Sequence, residues 1–470
     1  MKPNVLFVLT DDQRFDTIGA LNNPAVRTPN MDRLVAKGTA FTHAHIPSGT
    51  SGAVCCPSRA MLHTGRSLFH LDGSGGKIPK EHTLMGEIFR REGYDTFGTG
   101  KWHNGKDAFN RSFTDGEHIF FGGMSDHWNV PCFHFDPTGE YSSTLPQGFP
   151  FLDYNNTKIK NRPADHIECG QHSSDILADA TAEWISSKDG KKPFFAYLSF
   201  LAPHDPRTMP EHYKELYPQD EIELPPNFLG GHPFDNGALT LRDEVLEHFP
   251  RTPKAIKRHI SEYYAMITHL DDCLGRVFDA LDAKGLFDDT LIVFTGDNGL
   301  AVGQHGLMGK QNHYEHSIRV PLIMSGPGID ENAISSSPVY LFDIFSTLCD
   351  HLNFQIPDTN DGLSFAHELK GERKPTRDKL FFAYCEFMRS IKKGNFKLCE
   401  TCVEGEHNMT QLYDVESDPW ELRNLAEAPE HQKLIENLRT ELVDLGKDWD
   451  DRDSEWGQVF WKTFEASIQS

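Results

Sequence analysis

The sequence predicts an α/β fold, in which a mostly parallel sheet flanked by helices is followed by a smaller C-terminal α+β subdomain. Three apolar runs, Val5–Leu9, Pro193–Phe200 and Thr290–Thr295, have the continuous hydrophobic character of strands that are buried on both faces of a parallel sheet. Helical patterns separate these runs. After about residue 365, short strands between polar turns and one amphipathic helix take their place. We therefore predict a main domain over 1–365 and a subdomain over 366–470.

The remaining elements of the main domain follow in chain order. Thr28 and Pro29 predict a helix start, with a cap residue followed by proline at the first helical position, and Gly38 predicts its end. Further predicted elements are a helix that carries Met85, Ile88 and Phe89, a strand over Gly93–Gly100, a helix capped by Ser174 and Asp175 that runs through Ile185, a long helix over Ala255–Leu281 and a core strand over Val320–Ser325. In the long helix, Asp271 and Asp272 have a predicted solvated or capping role.

The segment from Asn104 to Gln171 shows little periodicity and carries many Gly, Phe, His, Asp and Asn residues. Long irregular segments inside a compact domain are usually functional loops, so this segment is predicted to form substrate-recognition structure.

The C-terminal region has the pattern of an antiparallel sheet with one helix. Its predicted elements are short strands at Leu380–Tyr384, Ser390–Cys399 and Gln411–Asp414, and a helix over Glu430–Leu445 with leucines on one face. Cys399 and Cys402 form a lone C-x-x-C, which is predicted to be structural because no second pair has the spacing of a zinc site.

Composition excludes several classes of protein. A net charge of −23 over 470 residues argues against nucleic-acid binding, and nine cysteines do not form an even disulfide framework. No apolar run is long enough to span a membrane, so no membrane partner is expected. The N-terminal residues do not form a signal peptide, which predicts a cytoplasmic protein if Met1 is the native start and a periplasmic or secreted one if the chain is a mature form.

Oxygen ligands follow two of the predicted buried strands. Asp11 and Asp12 come directly after the first strand, and Asp297 and Asn298 follow the strand at Thr290–Thr295. Open α/β sheets bind their ligands at the carboxyl ends of their strands. Three carboxylates and an amide describe a site for one hard divalent cation, with Ca²⁺ favoured over Mg²⁺.

An unusual string begins at Cys55 and reads C-C-P-S-R-A-M-L-H-T-G-R through Arg66. Pro57 suits a first helical turn, and Arg59 lies four residues after Cys55, on the same helix face. Cys55 would then sit near a helix N-terminus beside a guanidinium, in a site suited to an anion. Taken alone, the string would be better explained by a buried structural cysteine in a capped helix, since most cysteines are structural.

The string resembles the signature C-x-P-S-R-x-x-x-L/M-T-G-R of the type I sulfatases, members of the alkaline phosphatase superfamily. It departs from this signature at His63, where Leu or Met is usual. Two further stretches resemble signatures of the same family: Gly100–Gly105 (G-K-W-H-N-G) and Leu412–Leu425. The resemblance implies that Cys55, two residues before Pro57, is converted to formylglycine by a maturation enzyme. It also implies an alkaline-phosphatase-like sheet in a sulfatase catalytic domain.

The resemblance further implies a set of roles. Asp11, Asp12, Asp297 and Asn298 would bind the cation together with the modified Cys55. Arg59 would neutralise charge, and Lys101, His204 and Lys310 would contact the sulfate ester. His204, aided by Lys310, is the candidate proton donor to the leaving oxygen, and His103 is the candidate base. Lys101 and His103, two residues apart in extended chain, are expected to face the same side.

The expected substrate is a sulfated small molecule or oligosaccharide, and specifically a carbohydrate sulfate ester that is cleaved end-on. An acidic surface disfavours a long wrapped polyanion. Trp128, Phe133 and Phe135 are candidates to stack on sugar faces. Two alternatives stay open: a phosphatase or phosphonate monoester hydrolase of the same superfamily, and a non-catalytic protein that binds sulfated glycans with Cys55 unmodified.

Overall fold

An eight-stranded mixed sheet lies at the centre of the protein, in a computed structural model that describes residues 2–147, 160–372 and 374–469. The strands, in chain order, are β1 (Asn4–Thr10), β2 (Gly38–Phe41), β3 (Ala44–His45), β4 (Ser48–Gly49), β5 (Asp95–Lys101), β6 (Asp115–Phe120), β7 (Pro131–Cys132), β8 (Thr144–Gln147), β9 (Lys160–Pro163), β10 (His166–Ile167), β11 (Phe194–Ser199), β12 (Thr290–Gly296), β13 (Arg319–Val320), β14 (Leu322–Ser325), β15 (Ala333–Ser335), β16 (Val339–Tyr340), β17 (Lys379–Tyr384), β18 (Met388–Lys393), β19 (Phe396–Val403) and β20 (Glu406–Asp414).

Strand β1 is the middle of this sheet, whose order is β15-β2-β14-β12-β1-β11-β5-β6. It pairs in parallel with β11 on one side and β12 on the other, and β5 and β6 continue the parallel part. Its side chains enter two different hydrophobic clusters, with Val5, Phe7 and Leu9 on one face and Leu6 and Val8 on the other. Burial on both faces explains the continuous apolar run, and the predicted fold class is confirmed.

Helices cover both faces of the sheet. They are α1 (Pro29–Lys37), α2 (Cys55–Thr64), α3 (Met85–Arg91), α4 (Lys106–Ser112), α5 (Ser173–Ser187), α6 (Glu211–Lys214), α7 (Pro253–Ala283), α8 (Glu315–Ile318), α9 (Asp343–Leu352), α10 (Gln432–Asp448) and α11 (Glu455–Gln469). Among the described residues, no helix combines the length and the apolar character that crossing a membrane requires.

Two helix caps differ from the prediction. The cap of α5 is His172, whose Nδ1 accepts a hydrogen bond from the backbone N–H of Ser174. Thr28 precedes α1 without capping it, since its hydroxyl donates to the Asp32 carboxylate instead. Asp271, a residue of α7, caps the start of α1 in its place, because its carboxylate accepts from the backbone N–H groups of Asn30 and Met31. Its predicted capping role is therefore seen, on a neighbouring helix.

The prediction of irregular structure from Asn104 to Gln171 was wrong in part. This segment contains α4, the edge strand β6 and the short strands β7 to β10, while residues 148–159 of it lie outside the described residues. Strand β6 shows too little alternation of apolar and polar residues to be predicted from the sequence, because Gly116 and a bulge interrupt it. The aromatic side chains also differ from the expectation: Phe133 is 2% exposed and belongs to the core, and Phe135 packs against it.

The C-terminal region forms a five-stranded sheet of order β20-β19-β18-β17-β4, packed against α10 and α11. The predicted strand Ser390–Cys399 is two strands, β18 and β19, because the chain turns at Gly394, whose φ is +55°. The edge strand β4 comes from early in the chain and pairs in parallel with β17. The division at residue 365 stays a prediction.

Replacing Asp451 with alanine should destabilise the protein by about 3–5 kcal/mol, because it leaves the Arg389 guanidinium buried without its counter-charge. Both side chains are fully buried, and Arg389 donates from Nε and Nη2 to Asp451 over 2.6 and 2.8 Å. Urea unfolding would measure the loss. Asp453→Ala, at an exposed neighbouring position, is the matched control and should change the free energy of unfolding by less than about 0.5 kcal/mol. Equal effects of the two variants would contradict the expectation.

Candidate active site

The carboxyl ends of three parallel strands meet at one edge of the sheet and carry most of the predicted site. Asp11 and Asp12 follow β1, Asp297 follows the neighbouring β12, and Lys101 ends β5. Their side chains are buried, with exposed fractions of 3% or less. Such a concentration of buried ionic groups is costly in a folded protein unless the groups pair with one another or with a ligand.

Helix α2 begins at Cys55 and brings Arg59 into this cluster. The Arg59 guanidinium donates from Nε to Asp297 Oδ2 over 2.8 Å, and its Nη2 lies 3.6 Å from Asp11 Oδ2. It also donates from Nη1 to the Lys101 carbonyl and to Ser199 Oγ. Arg59 therefore contacts both carboxylates and the carbonyl of Lys101, the last residue of β5. The sequence had predicted only that Arg59 lies beside Cys55.

The thiol of Cys55 lies between two predicted catalytic side chains. Lys101 Nζ is 3.4 Å and His103 Nδ1 is 3.5 Å from Cys55 Sγ, and Lys101 Nζ also donates to the Asp11 carboxylate. Lys101 and His103 face the same side, as predicted, and both lie against Cys55. The chain at His103, however, is not extended. His103 has a φ of +72°, which is strained for a residue other than glycine, and such strain is typical of functional sites.

A second group of contacts surrounds Asp12, which also has a positive φ of 62°. Lys310 Nζ donates to Asp12 Oδ1 over 2.5 Å, and Asn298 Nδ2 donates to the same oxygen over 2.6 Å. His204 Nε2 lies 3.6 Å from Asp12 Oδ2. The structure therefore brings all the predicted site residues into one cluster of carboxylates and cations.

The charges in this cluster shift one another's pKa values. Burial opposes ionisation of Asp11, but Lys101, His204 and Arg59 outweigh it and hold the pKa of Asp11 below its usual range. For Asp297, burial and then the charge of Asp11 raise the pKa to about 6. Burial, followed by the charge of Lys101, lowers the pKa of His103 to about 2, so its imidazole is neutral.

Two oxygens in the cluster are suited to a cation. Asp11 Oδ1 and Asn298 Oδ1 are buried and accept no hydrogen bond from the described residues. Buried acceptors without a donor are costly, and a bound cation removes that cost. Sγ of Cys55 and carboxylate oxygens of Asp11 and Asp297 lie within 4.8 Å of one another. The donor set of carboxylates and an amide fits one hard divalent cation.

Several supporting residues had no signal in the sequence. The Tyr263 hydroxyl, on α7, donates to the Asp12 carbonyl over 2.6 Å. His204 Nδ1 lies 2.9 Å from the Asp205 carbonyl oxygen, and the carboxylate of Asp205 pairs with Arg242. The prolines on both sides of the His204–Asp205 pair marked a fixed loop, but nothing in the sequence indicated the pairing with Arg242.

The chain matches the sequence model of the family described as "Sulfatase" over residues 3–354. The chain belongs to the sulfatase family. A second model, described as "N-sulphoglucosamine sulphohydrolase, C-terminal", matches residues 303–448. Two similar sulfatases are the ulvan-active sulfatase of Formosa agariphila, 28% identical over 99% of this chain and 86% of that protein, and an arylsulfatase of Clostridium perfringens, 27% identical over 94% of each. The protein is an enzyme, a sulfuric ester hydrolase.

Solved structures support the same fold. BT4656, described in complex with its substrate D-glucosamine-2-N,6-O-disulfate, has a TM-score of 0.72 and 22% identity, covering 96% of this chain and 99% of that one. The phosphonate monoester hydrolase of Agrobacterium radiobacter has a TM-score of 0.73 and 22% identity, covering 95% and 96%. At these identities the likeness concerns the fold alone, which sulfatases share with other hydrolases of the alkaline phosphatase superfamily.

Proposed function

We propose that this sulfatase releases inorganic sulfate from a sulfated carbohydrate, with Cys55 converted to formylglycine and one divalent cation, Ca²⁺, bound beside it. The observation that carries the proposal is the position of Cys55 Sγ, at the start of α2 and within 3.5 Å of both Lys101 Nζ and His103 Nδ1. In the mature enzyme, hydroxyl oxygens of hydrated formylglycine would take the place of this sulfur.

The cation would be held by Asp11, Asp12, Asp297 and Asn298. Its chemistry, when bound, is to lower the pKa of a neighbouring hydroxyl and to neutralise sulfate oxygens. Asn298 presents its amide oxygen while its Nδ2 donates to Asp12 Oδ1. Arg59 pairs with Asp297 and approaches Asp11, which orients both carboxylates and favours their ionised forms.

Hydrated formylglycine supplies two hydroxyls on one carbon, one to attack sulfur and one whose proton is later removed as sulfate leaves. His103 is the proposed base for that proton, because its Nδ1 is the nitrogen that faces Cys55. Lys101, which contacts both Cys55 and the Asp11 carboxylate, would stabilise charge on the sulfate oxygens.

The proposed proton donor to the leaving oxygen is His204, with Lys310 beside it. The carbonyl of Asp205 accepts from His204 Nδ1, which leaves Nε2 directed at the Asp12 side of the cluster. Lys310 Nζ contacts the same Asp12 carboxylate. His204 and Lys310 therefore lie beside Asp12, whereas His103 lies beside Cys55, so a donor and a base can act on different oxygens.

A carbohydrate substrate is supported by two lines of argument. The net charge of −23 disfavours a long wrapped polyanion and favours end-on binding of a small sulfated group. The relatives include a sulfatase named for ulvan and one named N-acetylglucosamine-6-O-sulfatase. Trp128 is partly buried, with its ring edge-on to His172, and is the proposed stacking residue.

Sulfate release from a panel of monosulfated sugars, beside a simple aryl sulfate and the matching phosphate esters, tests this function. We expect at least one sugar sulfate to be turned over faster than the aryl sulfate. Aryl sulfate turnover far above that of every sugar would reject the carbohydrate substrate, and faster phosphate ester turnover would favour a phosphatase.

The mass of the peptide that contains Cys55 tests the modification separately. We expect an aldehyde in place of the thiol in protein made together with a formylglycine-generating enzyme, the proposed maturation partner. An active protein whose Cys55 is wholly unmodified would reject formylglycine, and an inactive, unmodified protein that still binds sulfated glycans would favour a binding role.

A further inference from the structure

A cluster of histidines and a cysteine lies in the segment between β6 and β10, and it shares no residue with the active site. His118 Nδ1 is 3.0 Å from His166 Nε2, and Sγ of Cys132 lies within 4.8 Å of a ring nitrogen of each histidine. Cys132 is buried, while both histidines are partly buried and reachable from solvent. Nitrogen and sulfur atoms that converge in this way are typical of the ligand set of Zn²⁺.

The backbone brings these three side chains together through specific pairings. His166 and Cys132 are direct partners in the antiparallel pair of β10 and β7. His118 is the extra residue of a bulge in β6, since Thr99 pairs with Glu117 and Gly100 pairs with Ile119. A bulge re-aims a side chain out of the regular alternation, and here it turns His118 toward His166.

The conformation of His118 adds a second indication. Its φ is +47°, a left-handed backbone that costs a non-glycine residue free energy. Nothing in the sheet requires a histidine at this bulge, and glycine would adopt the same backbone without strain. Strained backbone conformations persist where the surrounding structure holds them, and they cluster at functional sites. The strain at His118, the third residue of the His118, Cys132 and His166 group, fits this pattern.

We propose that His118, Cys132 and His166 form a Zn²⁺ site. Tetrahedral Zn²⁺ sites place their ligand atoms about 3.3–3.7 Å apart, so the trio needs only small side-chain shifts to close on a cation. Binding displaces the Cys132 thiol proton into solvent and leaves a thiolate ligand. Glu117, whose Oε1 is 4.0 Å from His118 Nδ1, is placed to supply the fourth ligand.

The residues around the trio resemble the outer shell of a metal site. Asp165 accepts from His166 Nδ1, which fixes the tautomer whose Nε2 carries a lone pair. That lone pair accepts from His118 Nδ1 when no cation is bound, and Zn²⁺ would replace this hydrogen bond as the His118 proton moves to its Nε2. The ring of His134 stacks on His166 with centroids 4.1 Å apart, and its Nδ1 contacts Glu117. Bound Zn²⁺ would tie β6, β7 and β10 together at the edge of the sheet, within the predicted substrate-recognition segment.

Cobalt(II) titration of the full-length protein in excess Ca²⁺, which occupies the carboxylate site, tests the proposal. A thiolate-to-cobalt charge-transfer band is expected, and Zn²⁺ should displace it with a stoichiometry of one. Cys132→Ser and His118→Asn should abolish the band and weaken Zn²⁺ binding more than about 100-fold, and Asp165→Asn should weaken it about 10–100-fold. Cys55→Ser and Cys349→Ser are the controls and should leave the band unchanged.

Absence of the band in the wild-type protein, or a band that Cys132→Ser retains, would overturn the proposal. If a variant fails to fold, anomalous diffraction at the zinc edge from wild-type crystals soaked in Zn²⁺ decides it. A peak between His118, Cys132 and His166 supports the site. A peak only elsewhere, such as at the His172, Asp175 and His269 cluster, rejects it.

Discussion

Replacing Cys55 with serine should abolish sulfate ester turnover, with a loss of at least about a thousandfold in kcat, while the protein still folds and binds substrate. Serine carries one hydroxyl where hydrated formylglycine carries two. A sulfated serine would have no second proton for His103 to remove, so the sulfated enzyme would accumulate. Serine fills nearly the same space, and Cys55 is 2% exposed, so the packing around it should survive. Stopped assays of sulfate release and intact mass of the incubated variant would measure both effects.

Cys56→Ala is the matched control. Cys56 Sγ makes weak contacts, at 3.9 Å to the His103 carbonyl and 4.0 Å to Asn104 Nδ2. We expect turnover within about tenfold of wild type and a small loss of stability from the missing sulfur. If the Cys56 variant is inactive and the Cys55 variant is active, the register of the modified residue is wrong.

Replacing Asp297 with alanine should remove the bound cation and reduce kcat at least about 100-fold. Asp297 Oδ2 accepts from Arg59 Nε, and its Oδ1 accepts from the Asp12 backbone N–H over 3.2 Å. The substitution therefore removes a proposed ligand and loosens two others, Asp12 through its backbone and Asp11 through Arg59. Metal content by mass spectrometry and sulfate release, measured on the same preparation, would report the two losses together.

The variant Asp297→Asn separates the effect of the side chain's charge from the effect of its shape. It keeps an oxygen that can accept from Arg59 and removes one negative charge, so cation affinity should fall while folding is preserved. Excess Ca²⁺ should restore part of its activity and none to the alanine variant. Full activity of the wild type after exhaustive chelation would contradict a role for the cation in turnover.

The sequence predicted the centre of the fold well because burial leaves a strong mark there. Strand β1 is apolar at every position from Val5 to Leu9, and the acidic pair that follows it can only lie at the carboxyl end of the sheet. Cys55 and Lys101 came from short motifs at fixed spacing, and Asp297 came from its position after a buried strand. The structure brings all three together. Local pattern therefore predicted most of the site as well as the sheet.

The rest depended on long-range pairings that no local pattern carries. His118 lies in a bulge set by its neighbour β5, and its partner His166 is 48 residues away in the sequence. His63 departs from the sulfatase signature, and only the structure shows its reason: the ring packs on Trp102 with centroids 4.2 Å apart. Likewise, the turn at Gly394 was hidden within a continuous β-like stretch.

The pairing of β4 with β17 sets an order of events during synthesis of the chain. Ser48, seven residues before Cys55, pairs with Ala383, so this sheet cannot close until the ribosome has made most of the protein. At about 5–20 residues per second, the delay is roughly 20–70 s. Once folded, Cys55 is 2% exposed, so the formylglycine-generating enzyme proposed above would have to reach its thiol within that interval. Slower translation between residues 55 and 383 would therefore raise the fraction of aldehyde-bearing protein.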